Sequence, residues 1–245
     1  MRFRDQDKKK AITFSYDDGL TQDIALIELL NKYNLKCTFN LNSELLGTTR
    51  ILEMPKEVLH NGQILQMPRR MAHYKIHPQD VRYIYEGHEI AVHTLTHPSL
   101  ASLEEAEIIR QVEQDRLNLS ELAGYEVVGM AYPNGSYDDR VARIIEAHTG
   151  VRYARTTVNT KSFAPQENLY QYHPTVFHVW DFAELMHLGE TLIEMQPDTP
   201  QIFCIWGHSH ELDTRTDWWP QLEEFFKLIS NRDDIFYGTN AEVLL

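Results

Sequence analysis

Short apolar runs of strand length alternate with apolar residues at helical spacing along most of the chain. Residues 11–16 form one such run. Leu20, Ile24, Ile27 and Leu26, Leu30, Tyr33 then recur three and four apart, as on one face of a helix. Residues 36–41 predict a second strand and residues 89–93 a short third. A helix follows, with Ser102 as its cap, Glu105 completing a capping box, and Gly124 as its stop. Its apolar side is Ile108, Ile109, Val112, Leu119 and Leu122. Residues 127–131 and 153–157 predict two more strands, with a helix over 137–148 between them, stopped by Gly150. A helix over 184–195, a strongly apolar strand over 201–206, and a last helix carrying Leu222, Phe225, Phe226 and Ile229 complete the pattern, with Pro220 in that helix's first turn and residues 235–237 closing the series.

Strand alternating with helix over the whole length requires a parallel sheet, and a closed or nearly closed α/β barrel satisfies it. Residues 42–77 break the alternation. They carry Gly47, Pro55, Gly62 and Pro68 and read as an insertion of irregular or hairpin structure, a length of loop that is usually functional or mobile. No repeat or linker divides the chain, so residues 1–245 form one domain.

Composition narrows the partners. The formal net charge is −13, and the basic residues cluster only at Lys8–Lys10. A nucleic-acid partner needs a basic stripe, and an anionic membrane surface needs a basic patch; neither is present. No segment approaches a membrane span. The start MRFRDQDKKK has no apolar stretch behind its charges, which gives a cytoplasmic location by default. Cys37 and Cys204 lie inside apolar strands without CxxC spacing and read as small buried hydrophobes. Nothing in the sequence sets an oligomeric state.

The chemistry-bearing residues fall together where strands end. Asp17-Asp18-Gly19 follows the first strand, HTLTHP (93–98) ends the third, Tyr132-Pro133-Asn134-Gly135 the fourth, and Gly207-His208-Ser209-His210 the run 201–206. In barrels that rim is where catalysis collects. His93 and His97 are four apart and can converge on one ion. A zinc-protease helix starting at His88-Glu89 is excluded, because its second histidine position holds Val92. Alone, HTLTHP is equally a polar turn, and DDG is more readily an Asx turn or helix cap. Together, two histidines and one aspartate make a three-ligand site of the catalytic zinc type, which lowers the pKa of bound water towards ~7. The second aspartate is then available as a base. His208 is the candidate acid, with His210 its competitor.

These motifs resemble the polysaccharide deacetylases, carbohydrate esterase family four: FSYDDG, HTLTHP, AYPNG and IWGHSHE stand in the family's order. The resemblance implies a distorted (β/α) barrel with seven or eight strands. It implies Asp17 as catalytic base, Asp18, His93 and His97 as metal ligands, His208 as general acid, and the backbone N–H of Asn134 as oxyanion donor. The implied cofactor is a divalent metal, zinc first, with Co2+, Ni2+ or Mn2+ as alternatives. The implied reaction is hydrolysis of an acetamido or acetyl ester group on a sugar. Aromatic residues near the rim, Tyr132, Trp180, Trp206, Trp218 and Trp219, suit stacking on sugar rings, with core packing the better expectation for Trp218 and Trp219.

Three departures stand out. The family's base-orienting arginine is replaced by Ala131, for which Arg155 is the substitute, unless it is an exposed ion-pair arginine. The aromatic residue after the motif proline is Asn134. The aspartate–tryptophan pair that tunes the acid is matched only by Trp180-Asp181 in reversed order, so Glu211 or Asp213 is the alternative tuner. Two other functions are compatible with the same residues: hydrolysis of a small non-sugar amide or cyclic imide, and carbohydrate binding with weak or no catalysis.

Overall fold

The computed structural model describes residues 8–53, 57–60, 63–66, 70–178 and 181–245. The strands, in chain order, are β1 (Lys10–Asp17), β2 (Cys37–Leu41), β3 (Thr49–Glu53), β4 (Glu57–His60), β5 (Gln63–Gln66), β6 (Arg70–Tyr74), β7 (Glu89–Val92), β8 (Gly129–Ala131), β9 (Tyr153–Arg155), β10 (Val176–Phe177), β11 (Gln201–Gly207) and β12 (Ile235–Tyr237). One eight-stranded sheet runs β10-β11-β1-β2-β7-β8-β9, with β12 also on β1, and its pairings are parallel. All of β1 is buried, which explains its unbroken apolar run: a parallel strand covered on both faces has no solvent side to alternate with.

The sheet curls until its edges nearly meet. At the seam, Tyr172 N–H donates to Ala154 (2.9 Å), Thr156 N–H donates to Tyr172 (2.8 Å), and Thr175 N–H donates to Cys204 (2.8 Å). Irregular chain thus replaces strand pairing between β9 and β10. The result is the nearly closed barrel that the alternation predicts, in the distorted (β/α) form that the resemblance implies.

Helices cover the outside. Asp23–Lys32 buries Leu26, Ile27 and Leu30; Phe182–Glu194 buries Leu185, Leu188 and Leu192; Trp218–Ile229 buries Leu222, Phe225, Phe226 and Ile229. Each such side chain contributes about 1.5–3 kcal/mol on burial. Asp138 caps Asp139–His148 by accepting from Val141 N–H at 2.8 Å.

Local readings differ in three places. Ile24 is exposed, because the buried face of the first helix runs through Asp23, Leu26, Ile27 and Leu30. Ser102 caps nothing. It closes a separate 3-10 turn, Leu100–Ser102, that buries Leu100, and its hydroxyl donates to the Ser99 carbonyl at 2.8 Å. The helix begins instead at Glu105, and a π-turn over Arg110–Gln114 interrupts it before it ends at Gly124 in the left-handed conformation (φ 78°). The insertion is a nested hairpin, β3 on β6 and β4 on β5. Cys37 and Cys204 are buried and free, as expected. Among the described residues no helix is long and apolar enough to cross a membrane.

Candidate active site

Register places the chemistry at one rim. Asp17 ends β1, His93 follows β7, Ala131 ends β8, Arg155 ends β9 and His208 follows β11. Backbone strain gathers there too. Asp18 (φ 85°), Thr94 (φ 68°), His97 (φ 61°) and Asn134 (φ 57°) all sit in the left-handed region, which L residues, and β-branched Thr above all, avoid. Strain of this kind persists where surrounding structure over-determines it, commonly at functional sites. For Asp18 the determinants are its N–H, which donates to Asn40 at 3.0 Å, and the Lys75 ammonium, which donates to its carbonyl. DDG is therefore no helix cap; the first helix has Gln22 at its N-cap, without a side-chain bond.

The two aspartates have separate surroundings. Asp17 is 2% exposed. Its Oδ1 accepts from Asn40 Nδ2 (2.8 Å) and from Arg155 Nη2. Its Oδ2 lies 3.9 Å from His208 Nε2 across a gap. Burial alone would raise the Asp17 carboxyl, but Arg155, then His93 and His208, hold it below the ordinary carboxylate range. Asp18 instead turns towards His93 and His97, and one donor atom from each of the three lies within 4.8 Å of the others. Burial opposes ionisation there as well; Lys75, then the histidines, outweigh it and keep Asp18 a carboxylate.

This donor set fits a divalent ion. Burial pushes the imidazole of His93 down to about 4, leaving it neutral as a ligand must be. His93 Nδ1 lies 2.9 Å from the Ala131 carbonyl, which fixes the proton on Nδ1 and turns the Nε2 lone pair towards Asp18 and His97. His97 is likewise lowered by burial. The Lys75 ammonium, 3.4 Å from Asp18 Oδ1, already places one cation against the carboxylate.

Arg155 is fully buried rather than exposed. Besides Asp17 it reaches Ser15 Oγ (3.0 Å) and the Thr156 carbonyl (3.0 Å), and its guanidinium lies 4.8 Å from the Trp206 ring. It is the register partner of Ala131 across β8–β9, so both residues share a face of the sheet. Two substrate-contact expectations need correction. Trp206 is 8% exposed, its indole N–H spent on Asn159 (2.8 Å) and its face under Arg155; it packs the arginine rather than offering a platform. The Tyr132 ring is turned inward at 1% exposure, its hydroxyl donating to Tyr170 (2.7 Å), because β8 ends with that side chain in the core. Trp218 is core, Trp219 is half-buried, and Trp180 lies outside the described residues. Asn134 occupies the loop after β8, with its side-chain amide donating to Ser99 Oγ at 3.4 Å.

His208 Nδ1 lies 3.2 Å from Glu211 Oε2, an ion-pair contact rather than an aligned hydrogen bond, and Glu211 also accepts from the His208 N–H at 3.2 Å. Burial would lower His208, but Glu211, then Asp18 and Asp17, lift it to about 9. Among the described residues His210 has no carboxylate against its ring, and burial pushes it down to about 3; His208 is the histidine that faces Asp17. Asp213 accepts from the Trp219 indole (2.8 Å), and Asp181 caps the helix after β10, so Glu211 is the carboxylate at His208.

Several residues here carry no local sequence signal. Asn42 Nδ2 donates to the carbonyls of His93 (2.5 Å) and Thr94 (3.0 Å). Asp115 accepts from His93 N–H (3.2 Å), and Gln111 bonds Thr96 through both its amide oxygen (3.2 Å) and nitrogen (3.0 Å). Gln111 lies within the π-turn and Asp115 immediately follows it, a helical irregularity common at functional sites.

The family model for polysaccharide deacetylase matches residues 4–154, well over half of the chain. A search of curated proteins returns no match. Among solved structures, a candidate polysaccharide deacetylase from Mycobacterium smegmatis superposes with a TM-score of 0.66 at 17% identity, over 100% of this chain and 91% of that one. The Xyl-CE4 domain of a multidomain xylanase from the hindgut metagenome of Trinervitermes trinervoides gives 0.56 at 14% identity, over 96% and 89%. A mutant of BA3943, a CE4 family pseudoenzyme with restored enzymatic activity, gives 0.56 at 16%, over 98% and 69%. At these identities the structural likeness is one of fold.

Proposed function

The chain belongs to the polysaccharide deacetylase family, and we propose that it is a metal-dependent hydrolase removing acetyl groups from an N-acetylated or O-acetylated sugar or polysaccharide. The observation that carries this reading is the division between the adjacent aspartates. Asp18 faces His93 and His97, while Asp17 is held on one oxygen and presents the other to His208. A divalent ion on Asp18, His93 and His97, zinc before cobalt, nickel or manganese, would polarise the acetyl carbonyl and acidify water.

The remaining work belongs to the protein's own groups. Asp17, kept ionised by Arg155, accepts the proton of the attacking water through Oδ2. The Asn134 N–H donates to the oxygen on which charge develops. His208, protonated at neutral pH because of Glu211, gives its proton to the departing nitrogen as the C–N bond breaks. One carbon–oxygen bond forms, one carbon–nitrogen bond breaks, and acetate and a free amine leave.

Replacing Asp17 with Asn should leave zinc binding within about threefold and lower acetate release from chito-oligosaccharides by at least ~100-fold. Near-normal turnover in that variant would remove Asp17 as the base. The burial of Tyr132 and Trp206 favours a second reading, a small non-sugar amide or cyclic imide as substrate, since neither ring is free to stack on a sugar. Acetate release from chito-oligosaccharides against hydrolysis of simple amides by the same preparation separates the two. The carbohydrate-binding reading without catalysis rested on Ala131, and the contact of Arg155 with Asp17 weighs against it.

A further inference from the structure

Behind His208 lies a second imidazole. His178, just past β10, is fully buried, and its N–H extends the pairing with β11 by donating to the Trp206 carbonyl at 2.9 Å. Its Nδ1 is 2.9 Å from the Tyr16 hydroxyl and its Nε2 is 3.0 Å from Glu211 Oε2. That same oxygen is the one facing His208 Nδ1. A single carboxylate oxygen therefore serves two imidazoles.

Proton positions along this line are constrained. Burial lowers His178, so the ring stays neutral, and the Tyr16 phenol is the O–H donor that faces its Nδ1. A neutral ring that accepts from Tyr16 at Nδ1 carries its own proton on Nε2, where it donates to Glu211. Space is reserved for the ring as well: a Cβ on Gly207 would come within 2.0 Å of His178 Cδ2. The glycine before His208 is thus explained by the histidine behind it.

Resting on the reading of His208 as the acid, we propose that His178 and Tyr16 are positioning residues: the chain Tyr16–His178–Glu211 fixes the carboxylate against His208 and takes the place of the family's aspartate–tryptophan pair. Without the His178 donor, Glu211 is free to turn from His208, and the imidazolium loses its partner. The charge on His208 is also influenced by Asp17 and Asp18 at the end of β1, His210 on its own turn, His97 and, on β6, His73. All of these stay unchanged in the variants below.

The test uses zinc-loaded protein and reads histidine ring nitrogens by NMR alongside the pH profile of acetate release from chito-oligosaccharides. In the wild type, His178 should be neutral with its proton on Nε2. In His178→Phe the His208 midpoint and the alkaline limb of kcat should both fall by about one pH unit, with KM little changed. His178→Gln, whose amide nitrogen can replace the Nε2 donor, should stay within a few tenths of the wild type. Tyr16→Phe should release part of the His178 proton to Nδ1. The proposal is overturned by an unmoved midpoint in folded His178→Phe, by a shift equally large in His178→Gln, or by a wild-type His178 that is charged or protonated on Nδ1. Should His178→Phe not fold, the wild-type tautomer and Tyr16→Phe decide. The NMR readings stand whether or not acetate is released, so an inactive protein would sink the deacetylase reading and leave this one tested.

Discussion

Residue 131 bears on how the proposed base is oriented. The family's arginine at the end of β8 is absent, yet a guanidinium reaches Asp17 from the neighbouring position on β9. Paired strands place register partners on the same face, so a side chain as long as arginine needs only a small lateral step to make the same contact. The Ala131 carbonyl meanwhile serves His93. Arg155→Ala should leave Asp17 as a buried anion without its partner, costing about 3–5 kcal/mol of stability. It should also lower kcat by at least ~100-fold as the base loses its orientation. Adding Ala131→Arg to that variant should recover part of both losses, read by thermal melting and by acetate release. No recovery, with Arg155→Ala itself near wild-type activity, would mean that the arginine only packs over Trp206.

At the scale of elements, the rim is legible in the sequence and its supports are not. DDG, HTLTHP and GHSH are compact runs that point to chemistry only when taken together at the ends of strands. Their braces come from far along the chain: Asn42 and Lys75 from the two ends of the insertion, Gln111 and Asp115 from a helix, His178 from beyond β10. A glutamine on an amphipathic helix gives no hint that a π-turn will aim it at a loop. The capping box at Ser102 misled for a related reason, since burying Leu100 required a separate turn before the helix could begin. The Thr94–His97 stretch is held in strained backbone by Gln111, so Gln111→Leu should weaken zinc binding by about 10- to 100-fold. Its melting temperature should fall by several degrees, as the three side-chain hydrogen bonds of Gln111 to Thr96 and Glu107 are lost. Equal zinc affinity in calorimetric titrations of the two proteins would show that the loop holds its shape unaided.

Across the whole molecule, parallel strands bring residues 17, 93, 131, 155 and 208 to one rim although they span most of the chain. The alternation of strand and helix was sufficient to predict that convergence. It could not predict the seam between β9 and β10, where irregular backbone replaces strand pairing and no periodic signal exists to read. The departures concentrate on the same side of the barrel. The family match ends at residue 154, while Arg155, His178, His208 and Glu211 all lie beyond it. On the proposed reading, Asp17 and the candidate metal ligands Asp18, His93 and His97 lie within the matched span, and the candidate acid with its supports lies beyond it. In the proposed function, Asp18, His93 and His97 hold a divalent ion on which hydrolysis depends. Elemental analysis of the purified protein, joined to acetate release from chito-oligosaccharides before and after chelation, tests it most directly. Stoichiometric zinc or another divalent metal, activity lost on chelation and restored by that metal, and no binding in Asp18→Ala are the predicted results; a protein that takes up no divalent ion, or that releases acetate equally well without one, would contradict the account.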